Sequence, residues 1–241
     1  VALLRWEFAG QNPGTLEQFL PDGLLGERVV QLLPLPSDGA AGLGLLTSDG
    51  RLKRLALQEF QELSGRAATV LKLKDGVELR RVVTCRDGDS LVVGTSTGRL
   101  LRLLVDESAV PTMGRTAQGP VMLRLLPGET VAGAACGPAD GDLLLATRRG
   151  QIKRLQIASL RLAQRGDLGQ IGLRFGQRDD QLSDLQDGTS KLVAIVLKEG
   201  RSLRLATQSL EAQDCSGAGE ILSLKADEAI NELIPLLQSN A

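Results

Sequence analysis

One short phrase recurs along the chain at an almost fixed interval. Each full copy reads as a hydrophobic strand, a turn ending in glycine, and a second strand with an arginine four residues past that glycine: LGLLTSDGRLKRL, LVVGTSTGRLLRL, LLLATRRGQIKRL and VAIVLKEGRSLRL. The turn glycines are Gly50, Gly98, Gly150 and Gly200, so the intervals are 48, 52 and 50 residues. A fixed period of roughly 40 to 50 residues built of short strands is typical of radial or stacked β-repeats.

Each repeat divides into four short strands. In the second copy they span 79–85, 90–95, 100–105 and 121–125, with a tight hairpin at the glycine and a long polar loop before the last strand. The pattern predicts an all-β, five-bladed, propeller-like ring of four-stranded blades within one domain, 1–241. The repeat units are predicted at about 1–28, 29–78, 79–130, 131–183 and 184–241.

The two ends of the sequence predict how the ring closes. The fragment LLRWEF places Arg5 49 residues before Arg54, so the chain begins with the second half of a hairpin. The segment at 230–236 resembles a strand that leads into a hairpin elsewhere in the chain. We therefore expect 230–236 to complete the blade that 3–8 begins, which would remove an exposed sheet edge.

Basic residues recur at matched places, although the formal net charge is only −1. A cation repeated around a disc would form an evenly spaced track for the phosphates of a bent duplex. The loops ELSGRAA, MGRTAQG, QRGDLGQ and DCSGAGE, each before the last strand of a repeat, are the other candidate functional feature. The predicted DNA-binding residues are Arg51, Lys53, Arg54, Arg99, Arg102, Arg115, Arg148, Arg149, Lys153, Arg154, Arg165, Arg174, Arg201 and Arg204.

A structural role is the alternative for the recurrent arginine. Apolar residues lie two positions earlier on the same strand face, so this arginine can instead brace a neighbouring blade through an ion pair. The alternative applies to Arg54, Arg102, Arg154 and Arg204. For the cations that flank the turn, a solvated surface position is the alternative.

The sequence offers no constellation for catalysis. It contains no His and no Tyr, which removes the commonest general base and one covalent nucleophile. Cys85, Cys136 and Cys215 have no CxxC spacing, so we expect free thiols in a reducing cytoplasm rather than a metal site or a disulfide. No apolar run of about 18 residues indicates a membrane span. Catalytic residues, metal ligands and cofactors are therefore not expected in this chain.

The phrases LLTSDGRLKRLALQEF and LLVDESAVPTMGRTAQG resemble the repeat of one family, in which TxxGxxKR precedes a loop of small and basic residues. That family is the C-terminal β-pinwheel of the A subunit of bacterial type IIA topoisomerases, DNA gyrase and topoisomerase IV. The resemblance covers about residues 43–225. It implies a disc, with strands exchanged between blades, that binds and bends double-stranded DNA around a basic rim.

The same resemblance implies the partners. The disc would present bent DNA to a separate breakage-reunion core, whose tyrosine forms the transient link to DNA, and an ATPase subunit would complete the enzyme. ATP and magnesium would belong to those other parts. The isolated domain is expected to be a cytoplasmic, nucleoid-associated monomer.

One departure from the family bears on mechanism. Gyrases carry a box close to QRRGGKG that is tied to DNA wrapping, and here an acid and a leucine replace the expected glycine and lysine. The degenerate box comprises Gln164, Arg165, Gly166, Asp167, Leu168 and Gly169. This departure favours topoisomerase IV or a divergent relative of the gyrase protein.

Two other classes of propeller remain as alternatives. A protein-binding adaptor is possible for any such disc, but only 2% of the residues are aromatic, and aromatic anchors commonly dominate protein interfaces. A carbohydrate-active propeller needs carboxylates converging at its channel, and the apolar strands carry no repeated acid.

Overall fold

The structure is a computed structural model that describes residues 2–3, 28–36, 41–61 and 68–236. These residues form short strands, one helical turn, α1 (Gln58–Gln61), and two 3-10 turns at Ile157–Ser159 and Thr207–Ser209. In chain order the strands are β1 (Ala2–Leu3), β2 (Ala41–Thr47), β3 (Leu52–Ala56), β4 (Ala68–Thr69), β5 (Leu79–Arg86), β6 (Ser90–Thr95), β7 (Arg99–Leu104), β8 (Val131–Gly137), β9 (Asp142–Thr147), β10 (Gln151–Gln156), β11 (Gln170–Ile171), β12 (Leu182–Asp187), β13 (Leu192–Leu197), β14 (Ser202–Ala206), β15 (Ala212–Gln213), β16 (Glu220–Ile221) and β17 (Ile230–Pro235).

Four of the sheets are each built around one repeated hairpin. Blade A has the strand order β3-β2-β5, and blade B the order β11-β7-β6-β8. Blade C has the order β12-β9-β10-β15, with β16 also paired to β10, and blade D the order β14-β13-β17. The all-β, propeller-like fold is confirmed. The count of five blades stays a prediction.

Three of the four hydrophobic clusters among the described residues lie between two blades, and the fourth lies on blade A. Leu46 and Leu52 of blade A pack in one cluster with Leu91 and Val93 of blade B. Equivalent clusters join blade B to blade C and blade C to blade D. Because both faces of a blade are covered, every residue of β6 is buried. The leucine-rich and valine-rich hairpin strands are therefore the part of each repeat that fixes the ring.

Strands are exchanged between successive repeats, as expected. The first strand of a repeat pairs with the hairpin of the repeat before it: β5 with β2, β8 with β6 and β12 with β9. β17 takes the same place beside β13. The outer strands β11 and β16 likewise cross back to β7 and β10. At the same place on blade A, Val121 makes a single bridge to Arg51. The predicted outer strands are thus present but only one or two residues long.

The C-terminal strand lies in blade D, and its predicted pairing with 3–8 stays a prediction. β17 completes blade D by lying antiparallel to β13, with Ile195 opposite Leu233. It thus takes the inner position that β5, β8 and β12 take in the other blades. At the other end of the chain, β1 pairs with β4, and residues 4–8 of the predicted partner lie outside the described residues.

Candidate nucleic-acid interface

The recurrent arginine holds the loop of the next repeat against its own blade. Arg54, Arg102 and Arg154 donate hydrogen bonds to carbonyls that are spaced fifty residues apart, those of Val110 (3.4 Å), Leu160 (3.0 Å) and Leu210 (3.4 Å). Their backbones pair in parallel with Thr112, Leu162 and Ala212. The side chain and the backbone of each arginine therefore bind the same segment of the next repeat.

Polar groups of the inner and connecting segments also bind these arginines, although Arg54 Nε has no hydrogen-bond partner among the described residues. Arg54, which is 4% exposed, pairs with Asp87 at 2.8 Å, and Arg154 pairs with Asp142 at 2.7 Å. Arg102 donates to Ser90 Oγ at 3.0 Å. The structure thus favours the structural alternative for these three residues over the expectation that they line a basic rim. Arg204 differs, because its side chain is exposed.

Two lysines of the repeat are more deeply buried than the arginines. Lys53 and Lys153 are each 1% exposed. Lys53 Nζ donates to the carbonyls of Val70 and Arg115, and Lys153 Nζ to those of Gly172 (3.0 Å) and Gly217 (2.6 Å). Burial lowers the pKa of both ammonium groups. Their donors are used inside the fold, which argues against the prediction that they contact DNA.

The residue directly after the turn glycine also donates hydrogen bonds to backbone carbonyls inside the fold. Arg99 pairs with the buried Glu129 and donates to the carbonyls of Leu168 and Arg124. Gln151 replaces it one repeat later and donates to the matching carbonyls, those of Ala218 (2.6 Å) and Arg174 (2.9 Å). Arg51 donates to Gly119 O at 3.1 Å. A neutral amide can occupy this position because the role is to satisfy carbonyls, not to attract phosphate.

Two further predicted cations form ion pairs at the surface. Arg115 pairs with Glu59 of α1 at 2.8 Å. Arg201 makes two hydrogen bonds to Glu228, at 2.8 and 2.6 Å. Both arginines keep partial exposure but have a carboxylate already beside them, which weakens their attraction for an external anion.

Five of the predicted cations are exposed and have no side-chain partner among the described residues. They are Arg148, Arg149, Arg165, Arg174 and Arg204. Arg124, on the outer strand segment of blade A, is exposed in the same way. These six side chains have their charge available to solvent.

Three of the free cations occupy equivalent corners of successive blades. An outer corner is defined here as the hairpin turn and the outer-strand segment bonded to its glycine. The bonds run to Gly50, Gly98 and Gly150 from the N–H groups of Met122 (2.8 Å), Gly172 (2.9 Å) and Leu222 (2.8 Å). Arg124 and Arg174 lie on the outer segment at the corners of blades A and B, and Arg149 lies in the turn of blade C. At least one exposed arginine thus stands at each corner, and the turn of blade C also contains Arg148.

The loop that holds the degenerate box docks against the corner of blade A. Gly166 N–H donates to Met122 O at 2.7 Å, and Arg124 N–H donates to Asp167 O at 3.2 Å. The Asp167 carboxylate accepts a hydrogen bond from the Gln164 N–H at 3.0 Å. Arg165 is therefore held beside Arg124, and it is the single cation that this loop presents.

Glu129 at the base of blade B has a strongly perturbed acidity. Burial by itself would raise the pKa of its carboxyl group. Hydrogen bonds from Arg99, Thr97 and the Leu126 N–H, together with the Arg99 charge, outweigh burial and lower the pKa from 4.5 to about 2. The folded protein therefore favours the charged carboxylate more than the unfolded chain does.

This depressed pKa predicts a specific loss of stability in acid. The stabilisation from Glu129 is complete above about pH 5 and is lost as the pH falls towards 2, and it amounts to about 3 kcal/mol. We expect Glu129→Gln to be less stable than the wild type at pH 7 and to lose less stability between pH 5 and 2.5. Denaturant unfolding at stepped pH measures both. Parallel curves for the two proteins would contradict the assignment.

Two other kinds of site are absent from the part of the chain that the structure describes. It contains no group of three or more His, Cys, Asp or Glu side chains placed to hold a metal ion. It also contains no helix of the length and apolar character that crossing a bilayer would need.

The sequence of this chain is similar to those of known proteins. A family model described as "DNA gyrase C-terminal domain, beta-propeller" matches residues 45–86, 89–137 and 141–196, more than half of the chain. The A subunit of DNA gyrase from Synechocystis sp. is 28% identical over 85% of this chain and 29% of its own length. The A subunit of DNA topoisomerase 4 from the same organism is 34% identical over 61% of this chain and 17% of its own length. The chain thus spans less than a third of these curated relatives.

A solved structure supports the same assignment of fold. The C-terminal domain of DNA topoisomerase IV superposes with a TM-score of 0.60, at 20% identity, over 85% of this chain and 64% of that one. The structural match therefore extends over several blades and not only over one hairpin. The chain belongs to the DNA gyrase C-terminal domain family of β-propellers, whose fold topoisomerase IV shares.

Proposed function

We propose that this chain binds and bends double-stranded DNA, without reading its sequence, as an accessory domain within the A subunit of a type IIA topoisomerase. The observation that carries the proposal is the exposed arginine at the outer corner of three successive blades, in a chain of this family. Contacts to phosphates supply affinity but no sequence information. The proposed phosphate contacts are Arg124, Arg149, Arg165, Arg174 and Arg204.

Catalysis is proposed to lie outside this chain. The bent segment would be handed to a breakage-reunion core in the same polypeptide, and ATP and magnesium would act in other parts of the enzyme. The domain itself would use no cofactor and would be monomeric in the cytoplasm, at the nucleoid.

The docked loop at 164–169 favours bending over extensive wrapping. Its Asp167 and Leu168 carbonyls are engaged with blades A and B, and Arg165 alone adds positive charge at the surface. A box with an additional lysine would offer a second phosphate contact there. We therefore expect this chain to constrain less DNA writhe than a relative with the intact box.

The affinity of the wild-type chain for a long duplex, measured over a range of salt, tests the proposal. Release of counterions from about five phosphate contacts predicts a slope of about −4.5 for log K against log salt. Ligation of a nicked plasmid in the presence of the protein then reports constrained writhe and its sign. An affinity that does not change with salt would contradict the proposal. Tight retention of a protein partner with no DNA binding would favour the adaptor alternative.

A further inference from the structure

A polar cavity of about 120 Å³ opens where the inner strands and hairpin turns of blades B, C and D meet. Residues from four blades line it, those of blade A through Arg80 on the inner strand β5, which places it near the ring axis and not on the outer edge. Its polar side chains include Arg80, Ser96, Arg148, Ser183, Lys198 and Asn231.

The repeat itself brings three of these residues together. Ser96, Arg148 and Lys198 each follow directly after the first strand of a hairpin. Their N–H groups donate to the start of the inner strand of the same blade, to Thr130 O (2.8 Å), Gln181 O (2.9 Å) and Ala229 O (2.9 Å). Each turn is therefore fixed at the inner edge of its blade, and Arg80 joins the group from the inner strand of blade A. Arg148 accordingly belongs to this cavity rather than to the outer corners.

The cavity carries positive charge that no carboxylate of its lining offsets. Arg80, Arg148 and Lys198 line it, and no Asp or Glu does. Three acids close to the lining in sequence are paired elsewhere, Glu129 with Arg99, Asp184 with Arg81 and Glu228 with Arg201. Asp180 accepts the N–H groups of Arg149 and Gln181 through Oδ1, while its buried Oδ2 has no hydrogen-bond partner among the described residues. A concave site lined by charges of one sign raises the local concentration of counter-ions, so this cavity favours an anion.

Hydrogen-bond donors are also available at this place. Ser96 Oγ accepts the Thr130 N–H at 3.1 Å, which leaves its own hydroxyl proton free to donate. Arg80 uses Nε on Val131 O at 3.1 Å and keeps its terminal nitrogens free. Guanidinium groups bind phosphate oxygens through paired, charge-assisted hydrogen bonds.

We propose that this axial cavity binds a phosphate group. The site is separate from the outer corners, so it is a second anion site beyond the proposed DNA contacts. The phosphate can belong to a DNA segment lying across this face or to a small phosphorylated compound, because the recognising chemistry is the same for both.

Calorimetric titration with inorganic pyrophosphate, at constant ionic strength, tests the site. We expect saturable binding with a dissociation constant of about 0.1–1 mM. Arg148→Gln and Lys198→Gln should each weaken it about 10-fold, whereas Arg161→Gln, at an exposed cation outside the cavity, should change it less than about 2-fold. Thermal unfolding of each variant verifies that it is folded. Absence of saturable binding, or equal weakening by Arg161→Gln, would overturn the proposal.

Duplex binding by the same variants separates the two phosphate sources. If Arg148→Gln weakens the duplex complex and pyrophosphate displaces DNA, the cavity holds a DNA phosphate; if duplex affinity is unchanged, it holds a small compound. A chain with Arg124, Arg149 and Arg174 changed to Glu should still bind pyrophosphate. Failure of the corner contacts and failure of the cavity are therefore distinguishable.

Discussion

Replacing Arg99 with methionine should lower the free energy of unfolding by about 3–5 kcal/mol, because it leaves the Glu129 carboxylate buried and unpaired. The Glu129 side chain is only 3% exposed. The change also removes a donor from the carbonyls of Leu168 and Arg124, which belong to the exchanged segments. Denaturant unfolding at pH 7 measures the loss.

Two matched variants separate this pairing from a general effect of the substitution. Arg99→Met combined with Glu129→Met should lose less stability than Arg99→Met alone, since no buried charge then remains. Arg174→Met, at an exposed arginine, should stay within about 0.5 kcal/mol of the wild type. Wild-type stability in Arg99→Met would show that this guanidinium does not hold the blades together.

Reversing the charge at all three outer corners should weaken duplex binding by about two orders of magnitude at moderate salt, since each change removes an attraction and adds a repulsion. The variant is Arg124→Glu, Arg149→Glu and Arg174→Glu. All three side chains are exposed and have no partner among the described residues, so we expect stability close to that of the wild type. Electrophoretic mobility or fluorescence anisotropy measures the affinity.

A lysine far from the outer corners provides a control for the change in net charge. Lys191 is exposed and precedes β13, opposite the hairpin turn of blade D. Lys191→Glu changes the total charge as much as any one corner reversal does. We expect each single corner reversal to weaken binding more than Lys191→Glu. Equal effects would mean that the total charge governs affinity and that the corners have no special role.

The hairpins were predictable from the sequence because their information is local. The strand predicted at 90–95 is β6, Ser90–Thr95, since an apolar run next to a glycine turn specifies a hairpin without help from distant residues. The outer strands were predicted too long. Their pairing depends on the edge of a blade that the preceding repeat forms. Among the described residues, only β11 and β16 pair with such an edge as outer strands, and each is two residues long.

The roles of the cations were not predictable in the same way, because their partners are distant in sequence. Lys53 is bound by a carbonyl 62 residues away, and Arg102 by one 58 residues away. The sequence nevertheless held a signal. Gln151 stands where other repeats have arginine, and Leu101 stands where Lys53 and Lys153 occur. A phosphate contact loses its charge by such replacements, whereas a buried packing position tolerates them.

Two variants that each lose one positive charge test the central claim, that cations at the outer corners bind DNA while those of the repeated phrase hold the blades. They are Arg174→Met, exposed, and Lys153→Met, buried, with folding verified by circular dichroism. We predict that the slope of log K against log salt falls by about 1 in Arg174→Met and stays at the wild-type value in folded Lys153→Met. A reduced slope in Lys153→Met together with an unchanged slope in Arg174→Met would contradict the account.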